Sequence, residues 1–284
     1  MSREGLWRDP RDGRLMSKMN HYRVDPPFAL GLSGGRSSAF MLRQVLDAWG
    51  GSLPDGGQVV FGNTGKEHAS TYEFLGKIAS EWCPVTWVEY IPEKPWFRVV
   101  EPADADRKGD VFASLIRKRK YLPNPVTRFC TSEMKVLPTK RYMASIGIAD
   151  YTAIVGLRAD EPRRANKLKS DPTRDIAVPM YDSGHTIDDV RSFWKQQPFD
   201  LNLPDDDDAF TNFDLCFLKG KHRLKRVMDL EPERAQWWID MEAELGAGFR
   251  SDRPPYRVML HQVTVQGNLF GVSDDETVSC DCTD

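Results

Sequence analysis

The stretch FALGLSGGRSSAFML at residues 28–42 constrains this chain more than any other: an apolar run, a Ser/Gly turn, then apolar residues at helical spacing. Residues 28–32 predict a buried strand, and Phe40, Leu42, Val45, Leu46 and Trp49 predict a helix over residues 37–49. A strand that turns through Ser33, Gly34, Gly35, Arg36, Ser37 and Ser38 into a helix is a device for holding an anion. The glycines let the backbone come within hydrogen-bonding distance of phosphate oxygens. The helix start adds unpaired N–H groups and the positive end of its dipole. Ser33, Ser37 and Ser38 contribute hydroxyl donors.

The same grammar repeats downstream. Residues 59–61 predict a second strand that ends in Asn63, Thr64 and Gly65; residues 69–82 predict a helix; residues 85–90 alternate like a third strand. Apolar strands alternating with helices predict an α/β fold, a doubly wound parallel sheet covered on both faces. Residues 92–125 form a long interruption with basic runs at 107–108 and 117–120. A helix is expected at 135–145, a strand at 151–155 ending in Gly156, a further strand at 176–180 and a helix at 187–195. The acidic run at 205–208 is expected to be a solvated loop. Helices at 219–230 and 233–245 precede a mixed tail. The chain therefore divides into a polar, mostly irregular leader (1–24), a nucleotide-binding domain (25–200) and a helical and irregular C-terminal extension (201–284) whose tail bears cysteines.

Composition narrows the function class. Hydrophobic residues at 40% and charged residues at 29% describe a folded chain rather than a disordered one. A net charge of -3 supplies no overall drive toward nucleic acid or an acidic membrane, which leaves only local basic patches. No apolar run approaches the roughly 20 residues that span a bilayer, and the charged amino terminus has no secretory core. A cytoplasmic, reducing location is expected, where the 5 cysteines serve as metal ligands, redox groups or buried side chains rather than disulfides. Nothing in the sequence speaks to oligomeric state.

The loop at 33–38 resembles the PP-loop of the adenine nucleotide alpha-hydrolase superfamily. VVFGNTGKEHASTYEFL at 59–75, TRFCTSEMKVLPTKRYM at 127–143 and IVGLRADEPRR at 154–164 are similar, in the same order, to its phosphoadenosine phosphosulfate (PAPS) reductase-like branch, phage and prophage members above all. The resemblance spans roughly residues 25–220. It implies a Rossmann-like sheet that binds ATP or a PAPS-like adenine nucleotide, with a magnesium ion as a further expectation. It also implies that Asn63, Thr64, Gly65, Lys66 and Glu67 border the adenosine, and that Gly156, Arg158, Glu161 and Arg164 lie near the nucleotide. Arg128 and Lys135 can converge on phosphate or sulfate, the first as a bidentate fork and the second as a point charge. Lys135 and Arg158 are the residues expected to stabilise phosphate charge during catalysis. One departure matters: the family's SGGxDS carries an Asp where this chain has Ser37, which weakens the inference to Asp-dependent magnesium or phosphate handling and leaves the anion-binding backbone intact.

The cysteines leave the chemistry open. The Glu-Cys-Gly-Leu-His setting of PAPS reductases is missing, and the tail reads VSCDCTD. Cys130, Cys216, Cys280 and Cys282 would supply the four thiolates of an iron–sulfur cluster or a structural zinc, and the use of cluster-bound cysteines by other PP-loop sulfur-transfer enzymes favours 4Fe-4S over zinc. Cys216 lies in FDLCFLKG at 213–220, which resembles a cysteine-bearing segment of the phage-type relatives, whereas Cys83 is expected to be packing. The leading expectation is an enzyme of adenylyl- or sulfur-transfer chemistry, acting on a nucleic acid or with a sulfur-donor protein. The alternatives are true PAPS or APS reduction linked to thioredoxin, with Cys280 or Cys282 as nucleophile, and a non-enzymatic nucleotide- or cluster-sensing protein that works with nucleic acid.

Overall fold

Alternation of side chains along a strand decides which layer each one meets. A computed structural model describes residues 20–204 and 209–266, together with two short strands, β1 (Leu6–Arg8) and β2 (Leu15–Ser17), that pair antiparallel. The leader expected to be mostly irregular thus contains a hairpin. The main sheet comprises β3 (Phe28–Gly31), β4 (Gly57–Asn63), β5 (Thr86–Glu89), β6 (Arg98–Val100), β7 (Thr152–Ile154) and β8 (Ile176–Ala177), in the spatial order β6-β5-β4-β3-β7-β8. Every neighbouring pair is parallel except β5 and β6, so an antiparallel edge strand closes one side.

Phe28, Leu30, Val59, Phe61 and Trp87 share one core with the helices α1 (Arg36–Ala48), α2 (Ala69–Glu81) and, much later in the chain, α8 (Ile187–Trp194), and with Met180. The intervening residues Val60 and Val88 point the other way, toward Phe97 and Tyr142. Helices thus cover both faces, and the sheet is doubly wound, as the apolar strands predict.

The interval 92–125 is not a structureless interruption. It holds β6 and α3 (Asp110–Arg119), whose apolar side chains Val111, Phe112, Leu115 and Ile116 are buried. The basic run at 117–120 is the last turn of α3 and its cap, where cations complement the helix dipole. Next come α4 (Phe129–Thr131), a π-helical turn (Ser132–Val136) and α5 (Leu137–Ser145), with the π turn lying against β4 and β5. The strand expected at 176–180 stops at Ala177, because Pro179 opens the short helix α7 (Pro179–Asp182) after α6 (Pro162–Lys169).

The C-terminal extension is helical: α9 (Lys221–Leu230), α10 (Ala235–Leu245) and α11 (Tyr256–Gln266). They enclose a second large core with α3 and the segment at 209–218, centred on Trp238, Phe217, Phe249 and Tyr256. The Glu242 carboxylate holds this unit together by accepting from the backbone N–H groups of Phe249 and Tyr256. The acidic run at 205–208 and the tail from 267 lie outside the described residues.

Candidate phosphate-binding site

β3 is flanked by β4 on one side and β7 on the other, so the strand order reverses there. In open α/β sheets the crevice outside the carboxyl ends of the strands at such a point is where ligands bind. The loop at 33–38 leaves the carboxyl end of β3, and Gly156 to Arg158 follow β7 directly across from it. Gly156 lies against the Ser38 backbone, and Arg158 Nη1 donates to Ser37 Oγ at 3.0 Å.

Local contacts shape the loop. Ser33 N–H donates to Ser38 Oγ at 3.1 Å, the two hydroxyls lie 2.9 Å apart, and Ser38 Oγ donates back to the Gly35 carbonyl at 3.0 Å. Gly34 has φ +82, and an added Cβ would lie 2.4 Å from Thr71 Cγ2 on α2, so both its backbone conformation and its space require glycine. The first backbone bond that closes α1 runs from Ala39 N–H to the Gly35 carbonyl. The amides of Arg36, Ser37 and Ser38 precede it and form the open first turn of the helix. Arg36 turns aside: its guanidinium grips Asp200 through two bonds of 2.8 and 2.7 Å, while Trp194 Nε1 donates to its carbonyl.

Arg158, Glu161 and Arg164 form one cluster beside the loop. Arg158 also pairs with Asp160 at 3.2 Å, its backbone N–H donates to Glu161, and Arg164 pairs with the other oxygen of that carboxylate. Lys135 belongs to a different element. It sits in the π turn, which comes so close to β4 that a Cβ on Gly62 would lie 3.0 Å from both Lys135 Cα and the Met134 carbonyl. Such single π turns concentrate at functional sites. The Lys135 ammonium lies 5.4 Å from the centre of the Phe213 ring, within cation–π range. Arg128 caps α4 and donates from Nε to the Pro125 carbonyl, next to Cys130 at the start of the same helical stretch.

The loop at 63–67 presents a different picture. Asn63 Nδ2 donates to Glu89 Oε1 at 2.6 Å, and Thr64 donates through both its N–H and its hydroxyl to Glu67. Gly65 N–H donates to Asn63 Oδ1 at 3.2 Å, which folds the loop on itself. Lys66 makes a 2.9 Å ion pair with Asp214, with side-chain exposures of 9% and 3%. Glu67 is buried too, and loss of water raises its carboxyl above the ordinary value against the opposing pull of Lys135 and Thr64. Asn63, Thr64, Lys66 and Glu67 therefore aim their polar groups into the protein.

Local sequence signals miss Asn212 and Asp214. Asn212 Nδ2 donates to the Ser33 carbonyl at 2.7 Å, and its own carbonyl accepts from His68 N–H and Thr71 Oγ1. Asp214 N–H donates to the Lys66 carbonyl, and Phe213 bridges Glu67 in a short antiparallel contact. These partners lie more than a hundred residues away, beyond any local signal.

Cys216 is buried in the C-terminal core, and half-buried Cys130 packs against that same core. Among the described residues no group of three or more His, Cys, Asp or Glu side chains is placed to hold a metal, and Cys280 and Cys282 lie outside them. Cys83 packs in the first core, where burial pushes its thiol up to about 11. The basic run at 117–120 is committed to the fold: Arg117 pairs with Glu244, Arg119 with Glu133, and Lys118 Nζ donates to the Pro92 carbonyl. Among the described residues no helix is long and apolar enough to cross a membrane.

No protein-family model matches the chain. The uncharacterized nin region protein ORF290 of Escherichia phage lambda is 34% identical over 201 residues, covering 68% of this chain and 66% of that protein. The chain is thus related to a phage protein and spans just under two thirds of that relative's length. Among solved structures, the phosphoadenylyl-sulfate (PAPS) reductase of Candida auris, determined as a phosphate complex, is 15% identical, with a TM-score of 0.37 over 61% of this chain and 73% of that one. That is a weak structural resemblance.

Proposed function

We propose that the chain binds an adenine nucleotide with its phosphates against the loop at 33–38, and uses it for adenylyl- or sulfur-transfer chemistry. One observation carries the reading: the phosphate-type loop after β3 and the Gly156–Arg158 turn after β7 meet at the point of strand-order reversal, joined by the Arg158–Ser37 hydrogen bond. The first-turn amides of α1 receive phosphate oxygens, and Arg158 and Lys135 supply positive charge. Attack by an acceptor oxygen or sulfur on the α phosphorus, with departure of pyrophosphate, would leave the adenylyl group on the acceptor. Those donors would then stabilise the charge that develops on the departing oxygens. Ser37 offers a hydroxyl at the family's Asp position, so a magnesium ion that accompanies the nucleotide finds no carboxylate there. Asn63, Thr64, Lys66 and Glu67 shape the crevice wall from behind, while Glu161 and Arg164 stand with Arg158 beside the loop.

Parallel calorimetric titration with ATP and PAPS tests the reading. ATP binding that is lost in Gly34→Asp is expected, because that change adds both a clash with Thr71 and a negative charge to the loop. If the folded wild-type protein binds neither nucleotide, the reading fails. Preference for PAPS, with thioredoxin-dependent sulfite release, would move the reaction to sulfonucleotide reduction, with Cys280 or Cys282 as nucleophile. We further propose that Cys130, Cys216, Cys280 and Cys282 hold a 4Fe-4S cluster, supported by the shared core of the first two thiols. Anaerobic purification should then yield brown protein absorbing near about 400 nm, as thiolate-bound clusters do. Colourless protein with stoichiometric zinc would replace the cluster with a structural metal.

A further inference from the structure

The tripeptide Asn212-Phe213-Asp214 belongs to no helix and to none of the named strands, yet all three residues are buried and each meets a different part of the phosphate site. Asn212 donates to the Ser33 carbonyl at the start of the phosphate loop. Its backbone carbonyl holds His68 and Thr71 at the start of α2, the helix whose Thr71 side chain lies against Gly34. The Phe213 ring lies under the Lys135 ammonium. Asp214 completes the ion pair that fixes Lys66.

We propose that Asn212 and Phe213 are positioning residues for polyphosphate, setting the phosphate loop and the Lys135 ammonium at a fixed separation from one another. The inference rests on the nucleotide reading above and says which part of the ligand this strap governs. The loop and Lys135 lie on different elements, and a shared strap is what keeps their spacing constant. Asn212 Nδ2 fixes the carbonyl of Ser33, which aims the amides that follow. Phe213 offers a π face that favours one position of the ammonium. Both groups address phosphate oxygens, so the strap governs the polyphosphate and leaves recognition of the nucleoside untouched.

The test is titration of the full chain with ATP, inorganic pyrophosphate and adenosine, each variant being checked first for an intact thermal transition. Asn212→Ala should weaken ATP and pyrophosphate about five- to tenfold, the size expected for one lost positioning hydrogen bond, with adenosine unchanged. Asn212→Ser serves as the gentler change if the alanine variant fails to fold. Phe213→Leu should weaken ATP about three- to tenfold, Phe213→Tyr should restore it, and the loss should vanish in a Lys135→Met background. A merely structural role for Phe213 would give the same loss with or without Lys135. Equal weakening of adenosine and ATP, or a Phe213→Leu effect undiminished by Lys135→Met, would overturn the proposal. Wild-type protein that binds none of the three ligands would instead remove the nucleotide reading itself.

Discussion

Two loops leave adjacent strands of the same sheet and obey the same sequence grammar, yet they spend their polar groups in opposite directions. After β3, the loop at 33–38 uses Ser33 and Ser38 to brace its own backbone, gives the Ser37 hydroxyl to Arg158, and leaves the first-turn amides of α1 ahead of the first bond that closes the helix. After β4, the loop at 63–67 turns Asn63, Thr64, Lys66 and Glu67 inward, onto Glu89, Asp214 and each other. Side-chain length explains much of the contrast. Serine and glycine cannot reach far from the backbone, so partners such as Arg158 and Asn212 come to them, whereas Lys66 and Glu67 reach out to their own partners within the fold. A polar loop at a strand's carboxyl end is therefore ambiguous until its partners are known.

The sharpest way to break the comparison is to remove a partner from the inward loop. Asp214→Ala leaves Lys66 buried without a counter-charge and should cost about 3–5 kcal/mol in denaturant unfolding, as broken buried pairs do. A cost below about 1 kcal/mol, the range of exposed pairs, would show that Lys66 escapes to solvent and that the two loops are alike.

A change at Glu67 reads the burial of that loop through pH. Its folded-state carboxyl titrates above the ordinary value of 4.5, so between the two values the folded protein holds a proton that the unfolded chain has released. The contribution of Glu67 is therefore complete below about pH 4.5 and is lost as pH rises through the raised folded value. In Glu67→Gln that decline should disappear, so stability relative to wild type should climb with pH above 4.5 when urea midpoints are compared across a series. A difference between the two proteins that stays constant with pH would place the carboxylate in water.

The smallest effect is expected on the outward loop. Arg36 and Asp200 form a well-aligned pair, but their side chains are 36% and 29% exposed, and solvent screens them. Arg36→Gln should change unfolding free energy by less than about 1 kcal/mol. A larger loss would mean that the clamp at Arg36 holds the loop in shape, which would make the outward loop as dependent on distant partners as the inward one.

The parts that were legible in the sequence are those whose signals are local. The apolar run at 28–32, the Ser/Gly turn and the helical spacing after it anticipate β3, the loop and α1 to within a residue or so. Thr186 and Asp189 form a reciprocal cap where the turn before 187 predicts a helix start. The element α3 was hidden by the charges of its last turn, although Val111 with Leu115 and Phe112 with Ile116 stand at helical spacing. The edge strand β6 offers only Arg98, Val99 and Val100, too few to show a period. Within the site, the arrangement of Gly156 and Arg158 against the loop follows from strand order, but Asn212, Asp214 and Asp200 do not. Their roles come from contacts across long stretches of chain; Asp214 falls in FDLCFLKG, but that segment stands out for Cys216 and not for its carboxylate.

The π turn at 132–136 carries a consequence for how this chain tolerates insertion and deletion. An α-helix advances about 100° for each residue, and a π turn accommodates one residue more than an α turn would. Downstream, Met143 is buried and half-buried Tyr142 packs on the sheet and donates to Gln58, so the extra residue acts as a phase shift between that anchored face and everything upstream. Deleting one residue inside the turn would rotate Arg128 and Cys130 by roughly a quarter of a circle about the helix axis while α5 kept its seat on the sheet. Homologues that differ by one residue at this point would thus share a sheet and a phosphate loop while differing in which side chains the helix turns toward the C-terminal core.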